Sequence, residues 1–143
     1  MRKVVLLVFF ILTFINNEKV YSRNPQIDTC LVGTWSGSEK GEQWEGVQKN
    51  WVQYRYPDGK LITKFTTTQF GIVDVFTETG KWWTKNGKFY EKRVGARKPD
   101  VYTYEIADKN HIIFKSSNLP KKFKNKIYQF VDTRVEDDKT TEL

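Results

Sequence analysis

The chain has 143 residues, 15% of them aromatic, and a formal charge of +7 from 24 basic and 17 acidic side chains. Its single cysteine excludes an intrachain disulfide, and with only one histidine it has no zinc-site spacing. The length suits one domain with a core that needs no covalent staple.

The first segment, "MRKVVLLVFFILTF", pairs Arg2 and Lys3 with an apolar run from Val4 to Leu12. This is the pattern of an export signal, too short to span a bilayer. The expected division is a signal peptide over 1–22, cut after Val20-Tyr21-Ser22, with a retained N-terminal anchor as the alternative. Cys30 follows "NPQIDT", well past the apolar run, which argues against lipidation. Within the signal, Arg2, Lys3 and Lys19 stand against Glu18; removing that excess of +2 from +7 leaves about +5 on the mature domain. The expected location is periplasmic or extracellular. A basic, aromatic-rich chain could suit nucleic acid, but export argues against that partner.

Turn signals then recur at short intervals: "YPDGK" (56–60), "TQFG" (68–71), "ETGK" (78–81), "KNGK" (85–88), "GARKPD" (95–100) and "ADKN" (107–110). Asp58-Gly59 and Asn86-Gly87 are dipeptides that tolerate positive φ and build tight hairpin turns. Between the turns lie runs rich in Val, Ile, Thr, Phe, Tyr and Trp, predicting strands near 31–37, 47–56, 60–68, 71–78, 81–85, 88–93, 101–106, 111–115 and 126–135. In the last of these, Tyr128, Phe130, Asp132 and Arg134 share one face. Trp44, Val47 and Trp51 could instead form a helical stripe, but Gly41 and Gly46 weaken it. "KSSNLPKKFKNK" (115–126) reads as a basic exposed loop, and the chain ends in an acidic tail over 137–143. The predicted fold is all-β, an antiparallel meander over 23–136 closing into a small up-and-down barrel.

Gly33-Thr34-Trp35 on the first strand, with Arg134 on the last, resembles the lipocalins and the wider calycin group, in particular small exported bacterial lipocalin-like domains. The resemblance spans 31–136. It implies that Trp35 plugs one end of the barrel, that Arg134 packs across its indole and that Gly33 admits the close approach. It departs from the group in having neither a long helix after the barrel nor a helical lid near the start.

The chemistry inventory argues against an enzyme. His111 and Cys30 are far apart and belong to no nucleophile motif; Gly33, Gly37 and Gly41 lack the Lys-Ser/Thr ending of a phosphate loop; Glu39, Glu42 and Glu45 read as solvated charges. No catalytic, metal or cofactor residue is assigned. Binding is better supported. Trp35, Val73, Val75, Ile113 and Phe130 are expected in the core. Trp44, Trp51, Tyr54, Tyr56, Phe70, Trp82, Trp83, Tyr102 and Tyr104 are the candidates to line a mouth or interior. Alternation requires one of Trp82 and Trp83 to face in and the other out. Arg93 shares a face with Phe89, Asp74 with Phe76 and Lys64 with Ile62, and any of these charges that points inward needs a partner. The expected function is to carry a small, mainly apolar ligand inside the barrel. The alternative is a secreted protein-interaction module with a filled barrel, acting as an inhibitor or protective partner.

Overall fold

The runs of period-two alternation become eight antiparallel strands closed on themselves in sequence order, the all-β barrel expected. A computed structural model describes residues 22–41, 45–117 and 128–136. Residues 1–21 of the signal segment, most of the basic stretch at 115–126, Trp44 and the acidic tail therefore lie outside the described residues. A 3-10 turn, Thr29–Leu31, precedes β1 (Gly33–Lys40), β2 (Gln48–Arg55), β3 (Lys60–Gln69) and β4 (Ile72–Lys85). Then come β5 (Lys88–Arg93), β6 (Asp100–Asp108), β7 (His111–Ser116) and β8 (Gln129–Arg134).

Two of the hairpins turn on residues in the left-handed region. Asn86 and Gly87 have φ of 51° and 68°, as the dipeptide predicts, and Phe70 and Gly71 have 51° and 78°. The predicted strands 71–78 and 81–85 are one strand, β4, which runs straight through the "ETGK" segment expected to turn. The reason lies at Gly80. A Cβ there would sit 2.2 Å from the Lys92 carbonyl oxygen, so this glycine admits the backbone of β5 instead of reversing the chain.

The core holds Leu31, Trp35, Leu61, Trp82, Phe89, Tyr102, Ile112, Phe114 and Tyr128, with Phe130 packed against it. Val73 and Val75, expected in the core, are 60% and 66% exposed. They belong to the far half of the β3–β4 hairpin, which extends past the reach of β5: β4 pairs with β5 only from Gly80 onward. Ile113 is half-buried.

One end of the barrel is closed around Trp35, which is buried and donates from Nε1 to the Leu31 carbonyl at 2.9 Å. The Arg134 guanidinium lies 4.1 Å from the centre of the Trp35 ring. Arg134 also donates to the carbonyls of Lys109, Val32 and Cys30 at 3.0, 3.1 and 3.1 Å. Gly33, at φ 129°, has no room for a side chain, since a Cβ would lie 2.6 Å from Arg134 Nη1. One side chain thus ties the last strand, the 3-10 turn and the β6–β7 turn to the indole. Removing either partner takes away a buried ring or the guanidinium packed over it. Trp35→Ala and Arg134→Ala are each expected to lower stability by about 2–4 kcal/mol in equilibrium urea unfolding. A variant of either kind with wild-type stability would show that this end is closed by something else.

Candidate functional site

The strands differ in length, and their ends do not all meet. β1 and β8, which close the barrel, pair only through Trp35↔Arg134 and Ser36↔Thr133. Beyond Ser36 the seam opens into a cleft of about 690 Å³ lined by Ser36, Gly37, Ser38, Asn50, Trp51, Val52, Gln129, Phe130, Val131 and Thr133. Alternation explains the mixture. Ser36, Ser38, Asn50, Gln129 and Thr133 lie on the outer face, whereas Trp51 and Phe130 are inner-face rings reached through the gap. Gly37 makes the gap possible, because a Cβ there would lie 2.3 Å from the Trp51 ring. The two rings meet edge to face, 5.3 Å between centres. The lining carries no charged side chain.

Behind Trp51 runs a chain of buried polar groups. The indole Nε1 donates to Asp132 Oδ1 at 2.8 Å. Asp132 Oδ2 accepts from Arg55 Nη2 in an ion pair closed to solvent on both sides. Arg55 Nε donates to Gln53 Oε1 at 2.6 Å, and Gln53 Nε2 donates to Thr63 Oγ1 and Glu91 Oε2, both at 3.1 Å. Trp51, Gln53 and Arg55 alternate on β2, so one strand presents all three to the interior. The Arg55 guanidinium also lies 4.9 Å from the ring centres of both Phe89 and Phe114. Its Nη1 has no hydrogen-bond partner among the described residues. Farther along the β1–β2 pair, Lys49 and Glu39 stand opposite each other and pair at 2.8 Å.

Burial sets the proton affinities here. It pushes the Asp132 carboxyl upward, against the pull of Arg55 and of the hydrogen bonds from Trp51 and Arg55. It raises Glu91 from 4.5 to about 7, with Arg55 opposing and Asp100 assisting. The Tyr128 phenol is also raised, first by burial and then by the Glu39 carboxylate beside it.

Of the predicted binding aromatics, the cleft gathers Trp51. Trp44 lies outside the described residues. Trp82 is core, and its Nε1 donates to the Tyr56 carbonyl at 3.0 Å. Trp83 is half-buried and stacks on Tyr90 across the β4–β5 pair, 5.4 Å between centres. Tyr102 is in the core, and half-buried Tyr104 donates its hydroxyl to Asp28 at 2.8 Å. Tyr54 is half-buried, Tyr56 is exposed, and Phe70 stands at the tip of the β3–β4 hairpin. The candidates are therefore dispersed around the barrel. Of the suspected inward charges, Arg93 sits at the rim and pairs with Glu78 and Asp100 at 3.3 and 3.5 Å. Lys64 and Asp74 are exposed.

The alternation that places Tyr128, Phe130, Asp132 and Arg134 on one face of β8 is legible in sequence, and so is Trp51-Gln53-Arg55 on β2. That the two sets meet inside the barrel is not. His111 opens β7 with its Nδ1 2.9 Å from Asp108, and Cys30 is exposed in the 3-10 turn. Among the described residues no three His, Cys, Asp or Glu side chains group as a metal site, and no helix is long and apolar enough to cross a membrane. No family model matches the chain, and no curated protein matches its sequence.

A raised carboxyl favours the folded state in its protonated form, so the Glu91 contribution to stability is fully present below pH 4.5 and is lost as pH rises to about 7. Glu91 is half-buried. Discounting for that exposure, Glu91→Gln should gain about 1–2 kcal/mol relative to wild type between pH 4.5 and pH 8, read from urea unfolding across that range. A wild-type-minus-variant difference that does not change with pH would place the Glu91 carboxyl in water.

Proposed function

We propose that this protein is an exported, lipocalin-like binding barrel that takes a small, mainly apolar and uncharged ligand at the open β1–β8 seam. The observation that carries this reading is the cleft itself: a concavity of about 690 Å³ with two inner-face rings, Trp51 and Phe130, at its back. A site of that volume matches those of small-molecule binders, in which flat apolar surface supplies affinity and a few polar groups fix orientation. Here the orienting groups are hydroxyls and amides, those of Ser36, Ser38, Asn50, Gln129 and Thr133. An ionised ligand finds no counter-charge in that lining, so a neutral one loses less on leaving water. Trp51 is preorganised by its bond to Asp132, which lowers the cost of holding the ring for a ligand.

Kinship with the calycins rests on the eight-stranded antiparallel closed barrel and on the Trp35–Arg134 pair at one end. The alternative use, as a protein-interaction module, has one specific observation in its favour: the apolar half of the β3–β4 hairpin that leaves the barrel.

Native mass spectrometry of the protein from its exported fraction tests the ligand reading. The expected result is a non-covalent adduct of a few hundred daltons, lost on denaturation, the mass of a molecule that fills such a site. Ser38→Trp, a change on the outer face that fills the cleft, should remove the adduct and leave the unfolding curve in place. A clean protein mass under gentle conditions, or an adduct retained by Ser38→Trp, would sink the proposal.

A further inference from the structure

On the side of the barrel away from the seam, the β4 strand has an unpaired edge. Its residues 72–81 pair with β3 and its residues 80–85 with β5, so no described strand covers the second edge of 72–78. The two-residue turn sets Gln69 opposite Ile72. By antiparallel alternation, Ile72, Asp74, Phe76 and Glu78 then spend their backbone groups on β3, while Val73, Val75 and Thr77 aim theirs outward. The next odd residue fits the pattern: the Thr79 carbonyl accepts from Val94 N at 2.8 Å. The same hairpin, and Val94 next to it, expose large apolar side chains. Phe70 is 91% exposed, Val94 81% and Ile72 73%, with Val75 and Val73 close behind. Phe70 holds φ 51°, a conformation unfavourable for a bulky residue, at the hairpin tip. An extended, unpaired, apolar edge is a template for another strand unless the sequence blunts it, and between Phe65 and Thr77 the one charged residue is Asp74.

We infer that this edge pairs with the same edge of a second copy of the chain, antiparallel about a two-fold axis through Val75. Three features select that occupant. The backbone groups match, since Val75 faces Val75 of the second copy and Val73 faces Thr77, all residues whose N–H and C=O point outward. The charges match as well. This register sets Asp74 against Phe76 and Glu78 against Ile72, whereas moving the axis to residue 74 or 76 would set Asp74 against Asp74 or against Glu78. The apolar ends also meet. Ile72 of the second copy falls opposite Glu78, the last position before Val94 takes the same edge at Thr79, so its Gly71 and Phe70 abut Val94. One symmetric contact thereby covers the most exposed apolar side chains among the described residues. A self-complementary patch of this kind closes as a dimer and does not propagate. The inference does not rest on the ligand reading, because seam and edge lie three or four strands apart.

Sedimentation velocity on the purified protein over a concentration series is the test, with two variants. Val75→Lys brings like charges together at the axis. Val75→Pro removes an outward N–H while leaving the β3 ladder intact, since that ladder uses residues 74 and 76. The expected result is a reversible monomer–dimer equilibrium in the wild type, with the dissociation constant raised at least about 10-fold in either variant that keeps the wild-type circular dichroism spectrum. A wild type that remains monomeric to about 1 mM overturns the inference. So does a dimer equally stable in a folded variant. If the monomeric wild type instead floats with phosphatidylglycerol vesicles, the hairpin tip faces lipid.

Discussion

The Arg55–Asp132 ion pair holds the barrel shut where its backbone does not. β1 and β8 share two residue pairs, too few to close a sheet by hydrogen bonding alone. Asp132 on β8 reaches past β1 to Arg55 and Trp51 on β2 and accepts from both. The seam is thus bridged by side chains from the strand beyond it, inside the barrel, while Trp35 and Arg134 close the same seam at its end. An ion pair with neither partner in water must recover a desolvation cost of several kcal/mol per charge. It does so here through hydrogen bonds on both carboxylate oxygens, the Gln53 amide on Arg55 and two aromatic faces near the guanidinium. What the arrangement secures is register: a one-residue slip of β8 would turn Asp132 out of the barrel and strand Arg55 inside.

The same chain of contacts makes the cleft a defined object. Trp51 sits under Gly37 and against Phe130 with its N–H fixed on Asp132. A ring already held in place at the back of an opening lowers the ordering cost that a ligand would meet. The Gln53 amide carries the network on from Arg55 to Glu91, whose affinity for a proton lies in the neutral range. Charge at the far end of the network therefore changes with pH, while the near end, the Arg55–Asp132 pair, stays covered.

Much of the architecture was legible in local pattern. Period-two runs and Asn86-Gly87 announced strands and turns, since each of these is fixed by neighbours in sequence, whereas the Trp35 to Arg134 pairing at one closed end was expected from the resemblance to the calycins. The misreadings were non-local. Gly80 looks like a turn residue because glycine permits turns, but its neighbour is the Lys92 backbone, which no local window contains. Val73 and Val75 read as core because their spacing and chemistry are those of a core strand; whether β5 reaches that far depends on where β5 ends. The cleft was hidden for the same reason. It is made of residues from the second, first and last strands, and its lining hydroxyls and amides look like ordinary outer-face polarity. Aromatic content alone does not show which rings share a place: several of the candidates stack on other rings, as Trp83 does on Tyr90 and Trp82 on Phe89.

Unequal strand lengths account for both open features. A barrel removes its edges only where each strand is matched along its length on both sides. β4 is 14 residues long against ten in β3 and six in β5, so part of it must project with one edge bare. β1 has eight residues and β8 six, staggered so that they overlap at one end only, and the remainder of β1 faces a gap. The two openings differ in kind. The seam leads in to inner-face rings framed by neutral polar groups, the concavity on which the ligand proposal rests. The projecting edge exposes backbone and valines on a convex arm, suited to another strand. A shorter β4 would have closed the edge at no cost to the core, since the core residues of that strand begin at Trp82. That the chain instead extends the hairpin and places a strained, exposed phenylalanine at its end is the physical reason to look for a contact there.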